Sequence, residues 1–147
     1  MAATDNAAEQ AAHIAEKIRA GKTTLGIEFG STRIKAVLID DNFQTIASGD
    51  YSWASHLEDG LWSYTTEEIW GGLQSAYASM ANDVETAYGE KLTHVGHIGF
   101  SAMMHGYLPF DKNGRQLAGF RTWRNTTTGE AAGKLTELFG FNIPQRW

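Results

Sequence analysis

The sequence contains no cysteine, which removes disulfides, thiolate zinc sites and cysteine nucleophiles together. No apolar run approaches the ~20 residues that a membrane-crossing helix needs. The N-terminal segment lacks an apolar stretch and carries Asp5, Glu9 and Glu16 early, so it does not read as a secretory signal. Positive charge is scarce as well. Against 17 Asp and Glu stand 12 Lys and Arg, a formal charge of -5, and no basic stripe is available to meet a nucleic-acid backbone. The expectation is a protein of the reducing cytoplasm with neither a membrane nor a nucleic-acid partner.

What is present suits a globular domain: 147 residues, 42% hydrophobic and 20% charged. Residues 5–20 read as a polar, Ala-rich helix with Ala11, Ile14, Ala15 and Ile18 on one face and Gly21 as its stop. It is expected to be an extension over residues 1–22 that packs lightly on the domain; a docking helix is the alternative. Residues 24–29, 33–39 and 44–51 are strand candidates joined by links so short that they must form an antiparallel meander. Thr65 and Glu68 form a capping box, with Tyr64 as a staple onto Ile69, for a helix whose apolar face includes Leu73, Ala76, Met80 and Val84 and whose C-cap is Gly89. A fourth strand is expected at 94–100. A hairpin follows at 107–110 and 116–120 around Asn113-Gly114, then a helix at 128–139 capped by Thr127 and Glu130. The aromatic end at 143–147 reads as a truncation.

Two motif-like strings fail. Gly21-Lys22-Thr23 imitates a Walker A loop, but Glu16 stands where that loop needs glycine; Gly99 to Met103 is no nucleophile elbow, because Met103 stands where it needs glycine. His94 and His97, three apart on a predicted strand, would face opposite sides and cannot share a metal.

Three segments remain. In Glu28-Phe29-Gly30-Ser31-Thr32, an acidic strand end is followed by glycine and two hydroxyl residues in a turn. Such a turn can hold a phosphate through the N–H and hydroxyl groups of Ser31 and Thr32, and Glu28 can hold its Mg²⁺ directly or through water; the alternative is an ordinary polar turn. Gly99 to Gly106 leaves the fourth strand at the end where open α/β sheets gather ligands, and His105 there offers a hydrogen bond to a hydroxyl. In Arg121-Thr122-Trp123-Arg124-Asn125, Trp123 can lie against the C–H face of a sugar while Asn125 bonds its hydroxyls. Taken singly, a loop histidine and a core tryptophan are equally ordinary.

In this order and spacing the three segments resemble the FGGY family of carbohydrate kinases, within the actin, sugar-kinase and Hsp70 ATPase superfamily. The first is similar to the phosphate motif D-x-G-[ST]-[ST], the second to G-x-S-x-Q-M-H-G and the third to W-x-[DN]. The resemblance implies an α/β, ribonuclease H-like fold with a mixed sheet that begins as a three-stranded antiparallel meander, incomplete here over 23–147. It implies ATP and Mg²⁺ as cofactors and phosphoryl transfer to a sugar or polyol hydroxyl. Gly30, Ser31 and Thr32 would approach the transferred phosphate and Glu28 the metal, while Met104, His105, Trp123 and Asn125 would contact the sugar. The catalytic aspartate and a second, C-terminal kinase domain would lie beyond residue 147, so the fragment alone is expected to be inactive, and an apolar surface left by the missing part is expected to favour a homodimer. Three positions depart from the pattern: Glu28 replaces Asp, Met103 replaces Gln, and Thr126-Thr127 replaces the frequent Arg after Asn125. Rival readings are a superfamily ATPase with no sugar substrate and a non-catalytic sugar-binding module.

Overall fold

The computed structural model describes residues 2–140, so the 143–147 end lies outside the described residues. Helix α1 (Ala2–Arg19) leads into strands β1 (Thr24–Phe29), β2 (Arg33–Ile39) and β3 (Thr45–Ser52). A small hairpin follows, β4 (His56–Glu58) and β5 (Leu61–Ser63), then helix α2 (Thr66–Tyr88), strand β6 (His97–Ala102) and helix α3 (Gly129–Phe139). The first three strands pair antiparallel and β6 joins β1 in parallel, giving the order β3-β2-β1-β6. The expected meander is thus one side of a mixed sheet.

Side-chain alternation sets the layers. Leu25 and Ile27 of β1 and Ile34, Ala36 and Leu38 of β2 are buried against Ala76, Met80 and Val84 of α2. Burial of an aliphatic side chain of this size contributes about 1.5–3 kcal/mol. Glu28 and Lys35, register partners in the β1–β2 pair, lie on the opposite face, where a shallow hollow of about 460 Å³ opens. The capping box is formed as expected: Thr65 Oγ1 accepts from Glu68 N–H, the Glu68 carboxylate accepts from Thr65 N–H, and Gly89 closes the helix in the left-handed region.

Several expectations need correcting. The fourth strand starts at His97, not 94, because its register is fixed by Thr24 opposite His97, while Gly96 and His97 both donate to Thr23 O. His94 is therefore outside the strand, and the alternation argument does not apply to it. The hairpin at 107–120 is reduced to two isolated bridges, Tyr107 with Arg121 and Phe110 with Gln116. These are three residues apart on one side and five on the other, so a regular ladder cannot form, and Pro109 has no N–H to add to it. The N-cap of α3 is Thr128, not Thr127; its backbone is itself helical and its hydroxyl makes no cap bond, and Glu130 pairs with Lys134.

Helix α1 is more than a lightly packed extension. Ala15 and Ile18 are buried, Ile18 within the main core. Lys17 Nζ donates to Asp40 Oδ2 at 3.0 Å and Asp41 Oδ1 at 2.5 Å, and Asp40 Oδ1 also accepts from the N–H groups of Asn42 and Gln44. One ammonium thus ties the helix to the turn between β2 and β3. The hydrogen bonds of Asp41 and then Asp40 raise the Lys17 pKa. The Gln44 N–H, with Lys17 adding, lowers that of Asp40, and the Lys17 hydrogen bond lowers that of Asp41. The depressed carboxylates contribute stability above their ordinary pKa of 3.8 and lose it as pH falls through their folded values. The raised lysine contributes below 10.5 and loses it as pH rises through its folded value. Lys17→Met should therefore lower the thermal midpoint by several degrees at neutral pH, and the gap to the parent should close as pH falls below the carboxylate range. A gap that persists unchanged in strong acid would show that the ion pairs with Asp40 and Asp41 do not account for the loss.

Candidate functional site

Between β1 and β2 the chain turns through Gly30, Ser31 and Thr32, and Gly30 N–H donates to Arg33 O at 3.0 Å. Three successive carbonyls of this turn are held from within the chain. The Trp53 indole N–H donates to Gly30 O at 2.8 Å, the Tyr64 hydroxyl to Ser31 O at 2.6 Å and the Trp53 backbone N–H to Thr32 O at 3.1 Å. The Trp53 and Tyr64 rings stack with centroids 4.2 Å apart. Ser31 and Thr32 are exposed. Among the described residues their N–H groups have no backbone partner outside the strand ladders.

Glu28 sits one residue before the end of β1, its side chain half exposed, with Oε2 3.4 Å from Lys35 Nζ. Sequence reasoning missed Lys35, although the two-residue period of a strand paired opposite β1 places it on the face of Glu28. Among the described residues no three carboxylate or imidazole groups gather. One carboxylate beside an open turn fits Mg²⁺, which takes one or two carboxylates and completes its shell with water and phosphate oxygens. The exposed turn likewise fits the phosphates of ATP.

The second segment follows β6. Met103 N–H donates to Phe29 O at 3.1 Å, which sets Met103 directly beside the Gly30-Ser31-Thr32 turn. His105 adopts φ 58, a left-handed conformation uncommon outside glycine and concentrated at functional turns. Tyr107 and Arg121 exchange backbone hydrogen bonds of 2.9 and 3.0 Å, so Met104 to Gly106 and Thr122 to Asn125 lie at the same end of one ribbon. Met104 and Trp123 are 73% and 57% exposed, apolar side chains left without a covering partner. An apolar hollow of about 220 Å³ is lined by Phe29, Trp53, Ile69, Met103, Leu108 and Phe120, among others.

Asn125 behaves differently from its neighbours. Its Oδ1 accepts from Trp62 N–H, and its Nδ2 donates to Trp62 O and Thr122 O. Both ends of the amide are occupied within the chain, which anchors β5 beside the segment that carries Trp123. Arg124 adds a cation–π contact, its guanidinium 3.4 Å from the centroid of Trp62, and donates to Ser55 Oγ.

The family model for the N-terminal domain of FGGY carbohydrate kinases matches residues 23–143. The chain belongs to the FGGY family of carbohydrate kinases. Among curated proteins it is similar to the xylulose kinase of Bacillus subtilis (strain 168), 24% identical over 122 residues that cover 83% of this chain and 24% of the relative. Its fold is similar to that of part of a gluconate kinase from Lactobacillus acidophilus, with a TM-score of 0.65 at 18% identity over 81% of this chain and 23% of the other. A ligand-bound xylulose kinase from the same organism gives 0.64 at 18% identity, with the same coverage. The chain therefore spans about a quarter of the length of the relatives it matches. As an FGGY N-terminal domain, it carries the actin-like α/β fold that the resemblance implied.

Proposed function

We propose that this chain forms the sugar-binding, phosphate-approaching part of an ATP-dependent FGGY kinase, with residues 1–22 an added helical element and 23–147 a partial N-terminal domain. The observation that carries this reading is the adjacency of an exposed Gly30-Ser31-Thr32 turn, with Glu28 and Lys35 beside it, to the Met103-to-Gly106 segment. Phosphoryl transfer asks a protein for positioning and charge stabilisation. Ser31 and Thr32 donate N–H and hydroxyl groups to phosphate oxygens, Lys35 adds positive charge, and Glu28 holds Mg²⁺. His105 bonds a sugar hydroxyl, and Met104 and Trp123 meet its C–H surface, while Asn125 acts by fixing the Trp123 segment. The proton acceptor for the attacking hydroxyl is assigned to the second, C-terminal half of the kinase.

An ATPase without a sugar substrate would share the turn but has no use for the exposed Met104 and Trp123 pair. No helix among the described residues is long and apolar enough to cross a membrane; we assign the protein to the cytoplasm on its lack of cysteine. If the chain self-associates, the exposed Ile98 and Phe100 of β6 are the apolar surface that would do it.

The experiment is a titration of xylulose, gluconate and glycerol, each with and without Mg·ATP. His105→Ala should weaken the bound sugar by up to about tenfold, the scale of one good hydrogen bond, and leave Mg·ATP binding unchanged. Glu28→Ala should do the reverse and remove the Mg²⁺ dependence of nucleotide binding. Sugar affinity indifferent to His105→Ala would sink the kinase reading in favour of the ATPase.

A further inference from the structure

We propose that Trp53 and Tyr64 are positioning residues that hold the Gly30-Ser31-Thr32 turn with its Ser31 and Thr32 amides aimed at the anionic ligand. The proposal rests on the reading of that turn as the phosphate site, and it concerns two residues on which none of the three matching motifs falls.

The argument is geometric. Every peptide bond among the described residues is trans, and in a planar trans peptide the C=O of one residue and the N–H of the next point in opposite directions. Gly30 O is bound to the Trp53 indole, so Ser31 N–H points away from that ring. Ser31 O is bound to the Tyr64 hydroxyl, so Thr32 N–H points away from the phenol. The Trp53 backbone N–H fixes the third carbonyl, that of Thr32. With the carbonyls gathered on the aromatic side, the two donors face the other way, and an anion approaching there meets N–H groups rather than carbonyl oxygens.

The holding groups are themselves fixed. Tyr64 is 2% exposed, stacked on Trp53 and tilted against Phe120 at 5.8 Å. Burial raises its phenol pKa, so the hydroxyl remains a neutral donor. Trp53 directly follows β3 and Tyr64 directly precedes the Thr65 cap of α2, so both anchors belong to the ends of regular elements. A Gly-Ser-Thr link without them would sample many conformations, and ordering it would be charged against each binding event. Donors set in advance avoid that cost and need no reorganisation as phosphate charge develops.

The test compares the 147-residue chain with Tyr64→Phe, Trp53→Phe and, as a control in the core, Val84→Ala. The readouts are ¹⁵N relaxation of the Ser31 and Thr32 amides without ligand, and their shifts on titration with Mg·ATP. Tyr64→Phe keeps the ring and deletes one donor. It should lower the order parameters of these amides from about 0.85 towards 0.6 and weaken Mg·ATP about fivefold, the worth of one hydrogen bond; Trp53→Phe should act in the same direction. Val84→Ala should lower the unfolding midpoint more than Tyr64→Phe does, yet leave turn order and Mg·ATP affinity at parent values. Variants that match the parent in both readouts would overturn the positioning role while the parent's own response leaves the phosphate turn standing, and so would a Val84→Ala change that weakens binding equally. A parent whose Ser31 and Thr32 amides ignore Mg·ATP would overturn the phosphate reading and this proposal with it.

Discussion

Gly49→Ala should remove a large share of the stability of the fold. A Cβ at position 49 would fall on the Met80 amide nitrogen and the Ala76 carbonyl oxygen, well inside contact distance, and 2.7 Å from Ser79 Cβ. Two of these three are main chain of α2, so no change of rotamer relieves the clash. The helix would have to lift from β3, and Ala76, Met80 and Val84, all fully buried, would lose their packing together. Overpacking in a tight core costs ~1–3 kcal/mol and occasionally more. Here, with backbone as the obstacle, about 3 kcal/mol or more is expected against a typical total of ~5–15 kcal/mol. Gly71→Ala is the natural comparison. It lies in the same helix with nothing within 4 Å of the added carbon, so it should be neutral or stabilise by about 0.5–1 kcal/mol. Urea midpoints of the two variants and the parent settle the matter, and equal midpoints for Gly49→Ala and Gly71→Ala would refute the close crossing.

Gly30→Ala should abolish most Mg·ATP binding while leaving the fold intact. An added Cβ would lie 2.9 Å from Arg33 O, the carbonyl that accepts the Gly30 N–H and closes the turn at 3.0 Å. That contact is again main chain, so the turn must open, and Ser31 and Thr32 move with it. A displacement near 1 Å of groups that orient a reacting phosphate can cost about a hundredfold; a loss of at least tenfold in Mg·ATP affinity is expected, with a thermal midpoint close to the parent's. None of the three turn residues belongs to the buried cluster under α2, and Ser31 and Thr32 are exposed, which is why binding and stability should separate. Unchanged nucleotide affinity would mean that the turn is an ordinary connection.

The two substitutions mark how far the sequence could be read. Helix α2 was legible end to end because Thr65, Glu68 and Gly89 act locally, within a few residues of the backbone groups they satisfy. The meander was legible because its links are short enough to leave one topology. The β4–β5 hairpin was missed, although Asp59-Gly60 gave the signal: both take positive φ, 49 and 78, as a tight two-residue hairpin turn demands. The three motifs led to the site, but they could not show how it is held. Trp53 and Tyr64 grip main-chain carbonyls 23 and 33 residues away, and a carbonyl leaves no trace in the identity of the residue that bears it. Asn125 shows the same gap from the other side. Its motif position was recognised, but its amide is engaged with Trp62, 63 residues earlier. Lys35 became visible only once the register of β1 and β2 was known.

Residues aligned with a family and residues that fold as a unit need not coincide. Here the homology begins at residue 23, yet the cation that neutralises buried Asp40 is Lys17, six positions upstream of that border. Trimming the gene to the homologous region would remove the cation bonded to Asp40 and uncover the groove that Ile18 fills. Expression trials that follow the alignment should yield an aggregating product, and those that retain the leading helix should not.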